Sequence, residues 1–259
     1  MSREDFRLDL DREERTGTPE IVLAEGKTDA QLASVVAAFH RASGRVVVSR
    51  LDPARRAVLD DLPHAWHEEA RIAVVGLAAP PRRGGRVAVV AAGMADARVA
   101  EEARVVADEM GADVETFHDV GVAGLHRLLD VLPALRRADA VVACAGREGA
   151  LPTVVAGLVA APVVAVPVST GYGAGEAALH AMLQSCSPLV VVNVDAGVVA
   201  GAMAARIANQ SAAAALRRGP LARERELTIQ SFSGDPGGDP TRVASRPPSQ
   251  ARNPHANRT

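Results

Sequence analysis

From Arg86 onward the chain repeats one unit: a run of mostly apolar residues, then a stretch with helical periodicity. The runs are RVAVVAAG, a strand within ADVETFHDVG, AVVACAG, APVVAVPVS and PLVVVNVDAG. Between them lie ARVAEEARVVADEMG, with Asp96 placed to cap it, VAGLHRLLDVLPALRRAD with a proline bend, ALPTVVAGLVAA and GEAALHAMLQSC; GAMAARIANQSAAAALRR closes the series. Strands apolar on both faces, alternating with helices, specify a parallel sheet covered on both sides. In such sheets ligands bind beyond the carboxyl ends of the strands. Those ends carry Gly93 to Asp96, His118 to Asp119, Gly146 to Glu148, Ser169 to Gly173, and Asp195, so a site is expected there.

Upstream the rhythm differs. A polar arm ends in TGTP, PEIVLAE reads as a strand, and Thr28 opens a T-x-x-Q capping pattern with Gln31 before a helix that runs to about Gly44. RVVVSRL, the short helical DPARRAVLDDL and ARIAVVGLA complete a small α/β unit. The segment APPRRGG then reads as a linker. The expected organisation is an N-terminal unit over 1–79, a linker over 80–85, an α/β core over 86–216, and a disordered tail over 217–259, where proline, glycine, serine and arginine dominate.

A net charge of -2 gives no pull towards nucleic acid or anionic membrane, and six aromatic residues make no stacking platform for bases. Two cysteines without regular spacing suit neither a disulfide framework nor a zinc site. The N-terminus is charged without a signal-like apolar core, and the longest apolar run, Val154 to Val168, is broken by Pro162 and Pro167. A soluble cytoplasmic protein is expected.

The glycine-studded turn at Gly171, Gly173 and Gly175 leaves a strand and opens a helix that ends beside Cys186. Such a turn lets backbone approach a ligand, and helix N-terminal amides favour an anion. The turn misses the dinucleotide-fingerprint spacing. EGKT is no phosphate loop either, because Ile21 stands where the pattern needs glycine. Gly93 and its loop amides could hold a phosphate while Asp96 binds a ribose hydroxyl; the competing reading is a plain N-cap aspartate. Glu148 is either a general base or a solvated loop acid. Asp119 caps a helix or works in the site, and His126 follows within a turn or two. Cys144 sits inside an apolar strand as inert packing, whereas Cys186 lies in a polar context and is either a small apolar filler or a nucleophile. Lys27 is the single lysine among 29 basic residues: a compact ammonium wanted there, or a surface residue.

Taken together, GREGALP, the TGYG loop, AMLQSCSP and VVNVDAG, with DREERTG-PE, EGKT and DVGVAGLHRLL, resemble the LarB family, which carries out the first step in making the nickel-pincer nucleotide. The match runs from about Asp11 to Asn209. The core is also similar to aminoimidazole ribonucleotide carboxylase, a flavodoxin-like three-layer sandwich. That carboxylase has a catalytic histidine where this chain has Ala150, which disfavours the purine reaction. The resemblance implies carboxylation at C5 of the pyridinium ring of nicotinic acid adenine dinucleotide by CO2 or bicarbonate. It also implies hydrolysis of the phosphoanhydride, giving AMP and pyridinium-3,5-biscarboxylate mononucleotide. Cys186 would add to the ring as nucleophile, and Glu148 or Asp119 would serve as base or handle CO2. Gly93, Asp96, His126, Gly146, Ser169, Gly171, Tyr172, Gly173 and Lys27 would bind the nucleotide. A magnesium ion at the pyrophosphate is compatible with this, without a dedicated cage. A homo-oligomer, an octamer by resemblance, is implied. The chain departs from the family at Met94-Ala95-Asp96, usually Thr-Ser-Asp, and at Val194-Asp195-Ala196-Gly197, usually Ile-Asp-Asn-Gly. Purine-type carboxylase or mutase chemistry and a non-catalytic nucleotide-binding paralogue are the alternatives.

Overall fold

The computed structural model describes residues 6–218; the expected tail, beyond the end of the last helix, lies outside the described residues. The first elements are α1 (Arg12–Thr16), β1 (Ile21–Leu23), α2 (Asp29–Ser43), β2 (Val46–Ser49), a 3-10 segment Pro53–Leu59, β3 (His64–His67) and β4 (Ile72–Val75). The capping box forms at α2, with the Gln31 amide donating to Thr28 Oγ1 at 3.3 Å and the Thr28 amide to Gln31 Oε1 at 3.0 Å. The sheet has the order β1-β2-β4-β3, with β1 and β2 parallel and the rest antiparallel. Strand β3, His64-Ala65-Trp66-His67, escapes a pattern reading because it is a short edge strand without an apolar face.

Period-two alternation divides the loyalties of this sheet. Val46, Val48, Ala73 and Val75 pack on Leu32, Val36 and Phe39 of α2. Val47, Ile72 and Val74 join the apolar cluster of the second half of the chain. The N-terminal unit is therefore docked by its own sheet face.

The second half contains β5 (Arg86–Ala91), α3 (Ala97–Glu109), β6 (Asp113–Phe117), α4 (Leu125–Leu135), β7 (Ala140–Ala145), α5 (Leu151–Ala156), β8 (Val163–Pro167), α6 (Glu176–Leu183), β9 (Val190–Val191) and α7 (Gly197–Arg218). All five strands are parallel, in the order β6-β5-β7-β8-β9. Two apolar clusters line the two faces, one with α3 and α7, the other with α4, α5 and α6. This is the flavodoxin-like three-layer arrangement. Three elements are shorter than their sequence patterns suggest: α5 stops before Gly157, α6 stops at Leu183 before Cys186, and β9 keeps two residues. Strand β9 ends because the chain turns at 193–196 to enter α7, with the Ala196 amide on the Asn193 carbonyl.

Helix α7 crosses α3 in backbone contact. A Cβ at Gly197 or Gly201 would lie 2.2 Å from the Val99 carbonyl oxygen or 2.3 Å from that of Ala103. Residues 80–85 run against these helices: the Arg83 amide donates to the Gly111 carbonyl at 2.8 Å, and Arg82 reaches Asp108 at 2.7 Å. Arg45 forks onto Glu109 of α3 at 2.6 and 2.7 Å and also donates to the carbonyls of Gly76 and Ala78. Burial raises the Glu109 pKa even against that guanidinium. Among the described residues no helix is long and apolar enough to cross a membrane.

Candidate active site

Loops after β5, β7 and β8 converge on one buried carboxyl group, that of Asp96. It is 5% exposed. The Gly93 amide donates to Oδ2 at 3.0 Å, the Thr170 hydroxyl donates to Oδ1 at 3.0 Å, and the Gly146 amide also bears on it. Desolvation nonetheless wins over these donors and pushes the Asp96 pKa up, with Glu148 close enough to add repulsion. The expected side-chain cap on α3 is absent, since the carboxyl turns back to its own loop. Asp96 acts as the knot between three loops, and its oxygens are largely engaged by the chain itself.

The approach of these loops explains their glycines. A Cβ at Gly146 would fall 1.8 Å from Thr170 Oγ1, and one at Gly171 would fall 2.2 Å from the Gly146 carbonyl oxygen. Beyond Gly171 the loop runs through three left-handed residues, Gly173 (φ 64), Ala174 (φ 51) and Gly175 (φ 96), before α6 begins. Tyr172 stands 87% exposed at the tip. Ser169 is exposed, and its amide donates to Asp195 Oδ1 at 3.0 Å. Glu148 is exposed on the β7 loop.

Asp119, left-handed at φ 57, lies one strand over and pairs with Arg127. Its loop abuts the β5 loop, the Val120 amide reaching the Ala91 carbonyl at 3.1 Å. His118 Nε2 lies 3.2 Å from Glu101 Oε1, and His126 is exposed in the first turn of α4. Gly93, Asp96, Gly146, Glu148, Ser169, Gly171, Tyr172 and Gly173 thus share one rim, with Asp119 and His126 flanking it. Lys27 belongs to the N-terminal unit, and its Nζ donates to the Leu23 carbonyl at 2.8 Å.

Cys186 does not join the rim. The eight residues of α6 span about 12 Å, and Cys186 follows the end of that helix remote from the glycine loop. The thiol is exposed on a turn held by Ser185, whose Oγ accepts the Thr153 hydroxyl at 2.9 Å and the Ser187 amide at 3.2 Å. Cys144 is buried in β7, and burial raises its pKa. An open apolar groove of about 460 Å³, lined by Val159, Pro162, Pro188 and Val190 among others, lies next to the Cys186 turn.

Three residues beside the rim escape a motif reading, Arg98, Glu102 and Arg50, and the TGYG motif does not reveal that Thr170 bonds Asp96. Glu102 carries a visible signal, an acid on the apolar stripe of α3 that also holds Val99, Ala103 and Val106. It is 1% exposed; Oε1 accepts Arg98 Nη1 at 2.6 Å, and Oε2 has no partner. Desolvation raises its pKa to about 7 against the fields of Arg98 and Arg50, with Asp195 adding to the rise. A folded-state pKa above the ordinary 4.5 means that the native state holds a proton the unfolded chain has lost. Stability should therefore fall as pH climbs from about 4.5 to about 7, by roughly 3 kcal/mol for this group. Glu102→Gln is expected to remove that part of the slope. Denaturant titrations of both proteins at pH 5 and pH 8 check it, and equal slopes would refute it. Asp96 and Glu109, also raised by burial, should leave a residual slope of the same sign.

Comparison with known proteins agrees with this architecture. Residues 86–225 match the AIR carboxylase family, and residues 4–77 match the LarB/PurE-like N-terminal domain. An uncharacterized protein of Methanocaldococcus jannaschii is 34% identical over 218 residues, covering 79% of this chain and 84% of that one. The N5-carboxyaminoimidazole ribonucleotide mutase of the same organism is 31% identical over 125 residues, covering 47% of this chain and 77% of the mutase.

Proposed function

Because the chain belongs to the AIR carboxylase family and carries a LarB/PurE-like N-terminal domain, we propose that it carboxylates the pyridinium ring of nicotinic acid adenine dinucleotide at C5. In the same reading it hydrolyses the phosphoanhydride, releasing AMP and pyridinium-3,5-biscarboxylate mononucleotide. One observation carries this choice within the family. A LarB/PurE-like N-terminal domain is joined to a carboxylase core whose strand-end loop has Ala150, at the place where the resemblance to the purine carboxylase implies a catalytic histidine.

A pyridinium ring is electrophilic and cannot itself attack CO2. Addition of the Cys186 thiolate forms a C–S bond and moves an electron pair onto the ring, leaving a dienamine nucleophilic at C5. C5 then bonds to CO2, a base takes the C5 proton, and expulsion of the thiolate restores the aromatic ring. Glu148 and Asp119 are the two candidates for that base: both are exposed at the strand ends, Asp119 already paired with Arg127. The glycine loop with Ser169, Gly171, Tyr172 and Gly173, and the loop from Gly93 to Asp96, would hold ribose and phosphate. Lys27 and His126 are the outlying candidates for the remaining phosphate contacts.

This chemistry requires the thiol and the ring to meet, and one chain separates Cys186 from the strand-end rim by the length of α6. The reading therefore includes a homo-oligomer in which Cys186 of one copy faces the rim of another; an octamer is the form the family resemblance implies. No group of three or more His, Cys, Asp or Glu side chains among the described residues could hold a metal ion. A magnesium ion would thus be held mainly by the substrate pyrophosphate, with Glu148 or Asp119 as an outer contact, and would supply charge neutralisation there.

Incubation with the dinucleotide, bicarbonate and magnesium, followed by mass spectrometry, tests the reading. AMP and a dicarboxylated pyridinium mononucleotide are expected. Intact dinucleotide in the presence of folded protein would sink it, and turnover of aminoimidazole ribonucleotide instead would move the chain to the chemistry of its mutase relative.

A further inference from the structure

We propose that the N-terminal unit takes part in the site through Arg50, which, acting on Asp195, positions the Ser169–Gly175 loop. Two non-glycine residues in the left-handed region meet at this junction, Arg50 (φ 51) at the end of β2 and Asp195 (φ 56) in the turn before α7. Such backbone is uncommon and persists only where surrounding contacts hold it. Here the contacts are visible. Arg50 Nη2 donates to the Asp195 carbonyl at 3.3 Å, while Nη1 pairs with Glu25 at 3.2 Å. The Asp195 amide donates to the Pro167 carbonyl at 2.9 Å, its Oδ1 takes the Ser169 amide, and its Oδ2 lies 3.7 Å from Arg98 Nη2.

The glycine loop is therefore gripped from two sides. On the inside, Thr170 ties it to Asp96. On the outside, Ser169 rests on Asp195, and Gly175 fits against Val194, where a Cβ would come within 2.7 Å of Cγ1. The inner grip lies wholly within the core. The outer one is completed by a guanidinium from the other unit.

Docking alone does not explain Arg50. The N-terminal sheet is already fastened by Val47, Ile72 and Val74 and by the Arg45–Glu109 fork. The Arg50 side chain is 43% exposed and reaches past those contacts to the carbonyl of Asp195, the turn residue whose carboxylate holds the loop. Residues 4–77 match a separate domain and residues 86–225 the carboxylase core, so the Arg50 contact joins the N-terminal domain to a grip that otherwise lies within the core. The inference rests on the proposed reaction only for which nucleotide the loop holds; the positioning itself is independent of it.

Hydrogen exchange of the full-length protein, read on peptides spanning 168–176, tests the positioning without any substrate. Arg50→Ala should speed exchange in this loop by about fivefold, the effect of losing one hydrogen bond on a local opening, with α2 and β4 unchanged. Arg50→Lys should recover part of it, and Asp195→Asn, which keeps the turn but weakens the acceptor, should release the same peptides. Unaltered loop exchange in Arg50→Ala overturns the proposal. So does faster exchange spread over the whole N-terminal unit, which would make Arg50 a docking contact. With nicotinic acid adenine dinucleotide as substrate, Arg50→Ala should raise KM more than it lowers kcat, as loss of a ground-state binding loop does. Absence of turnover by the wild type would fail the proposed reaction and leave the exchange result standing.

Discussion

Cys186→Ala should abolish carboxylation, lowering turnover by at least about 10³-fold, because the ring has no route to a nucleophilic C5 without a covalent adduct. The expected structural cost is small. Cys186 is exposed, and the turn around it is held by Ser185 and Thr153, so the melting temperature should stay close to that of the wild type. Dinucleotide binding should survive, since the ribose and phosphate contacts are assigned to the loops of the rim and not to the thiol. A mass increment of the dinucleotide, or of the mononucleotide left after AMP release, on the wild-type protein and absent in Cys186→Ala would mark the adduct. Cys144→Ala is the contrast: fully buried in β7, it should cost stability through a small cavity and leave the adduct intact. Normal turnover by Cys186→Ala would remove the thiol from the mechanism. Mixing Cys186→Ala protein with rim-defective protein adds a sharper reading: partial recovery of activity is expected if thiol and rim come from different copies.

The core was legible because its signal is redundant: four apolar runs and a more polar fifth strand, helices between them, and glycine or acid at each strand end. Legibility failed where tertiary contact decides. Strand β3 has no apolar face of its own and exists through its ladder with β4. Helix α5 stops after six residues although its pattern continues through Val159. Asp96 looks like a helix cap in one dimension, but a hydroxyl seventy-four residues away draws its carboxyl into a three-loop knot. Arg50 and Asp195 are 145 residues apart and meet by backbone geometry that no local pattern encodes. The rim itself was readable as a set of strand ends. That Cys186 lies off the rim follows from the direction of α6, since a helix between two parallel strands carries its last residue back towards their amino ends.

The second large effect is expected from one methyl group. Gly171 has extended backbone (φ -107, ψ -168), so alanine meets no conformational penalty there. The obstacle is space. Its Cβ would lie 2.2 Å from the Gly146 carbonyl oxygen, 2.9 Å from the Arg147 carbonyl oxygen and 3.0 Å from the Arg147 Cα, all backbone atoms that no rotamer change can move. Nor can the β7 loop retreat freely. Gly149 is left-handed (φ 66), and a Cβ there would already be 2.8 Å from the backbone of Ala178 in α6. The loop carrying Glu148 is thus wedged between Gly171 and α6, and Gly171→Ala must push the β7 and β8 loops apart. Overpacking of this kind costs about 1–3 kcal/mol, which for a chain of this size lowers the melting temperature by only several degrees. The catalytic cost should be larger than the stability cost, because displacement of positioning groups by about 1 Å can cost about 10²-fold in rate. Steady-state kinetics beside thermal unfolding separates the two. A folded Gly171→Ala protein with kcat/KM down by about 10²-fold is the expected result, and retention of activity within threefold would show that the two loops need not touch for the reaction.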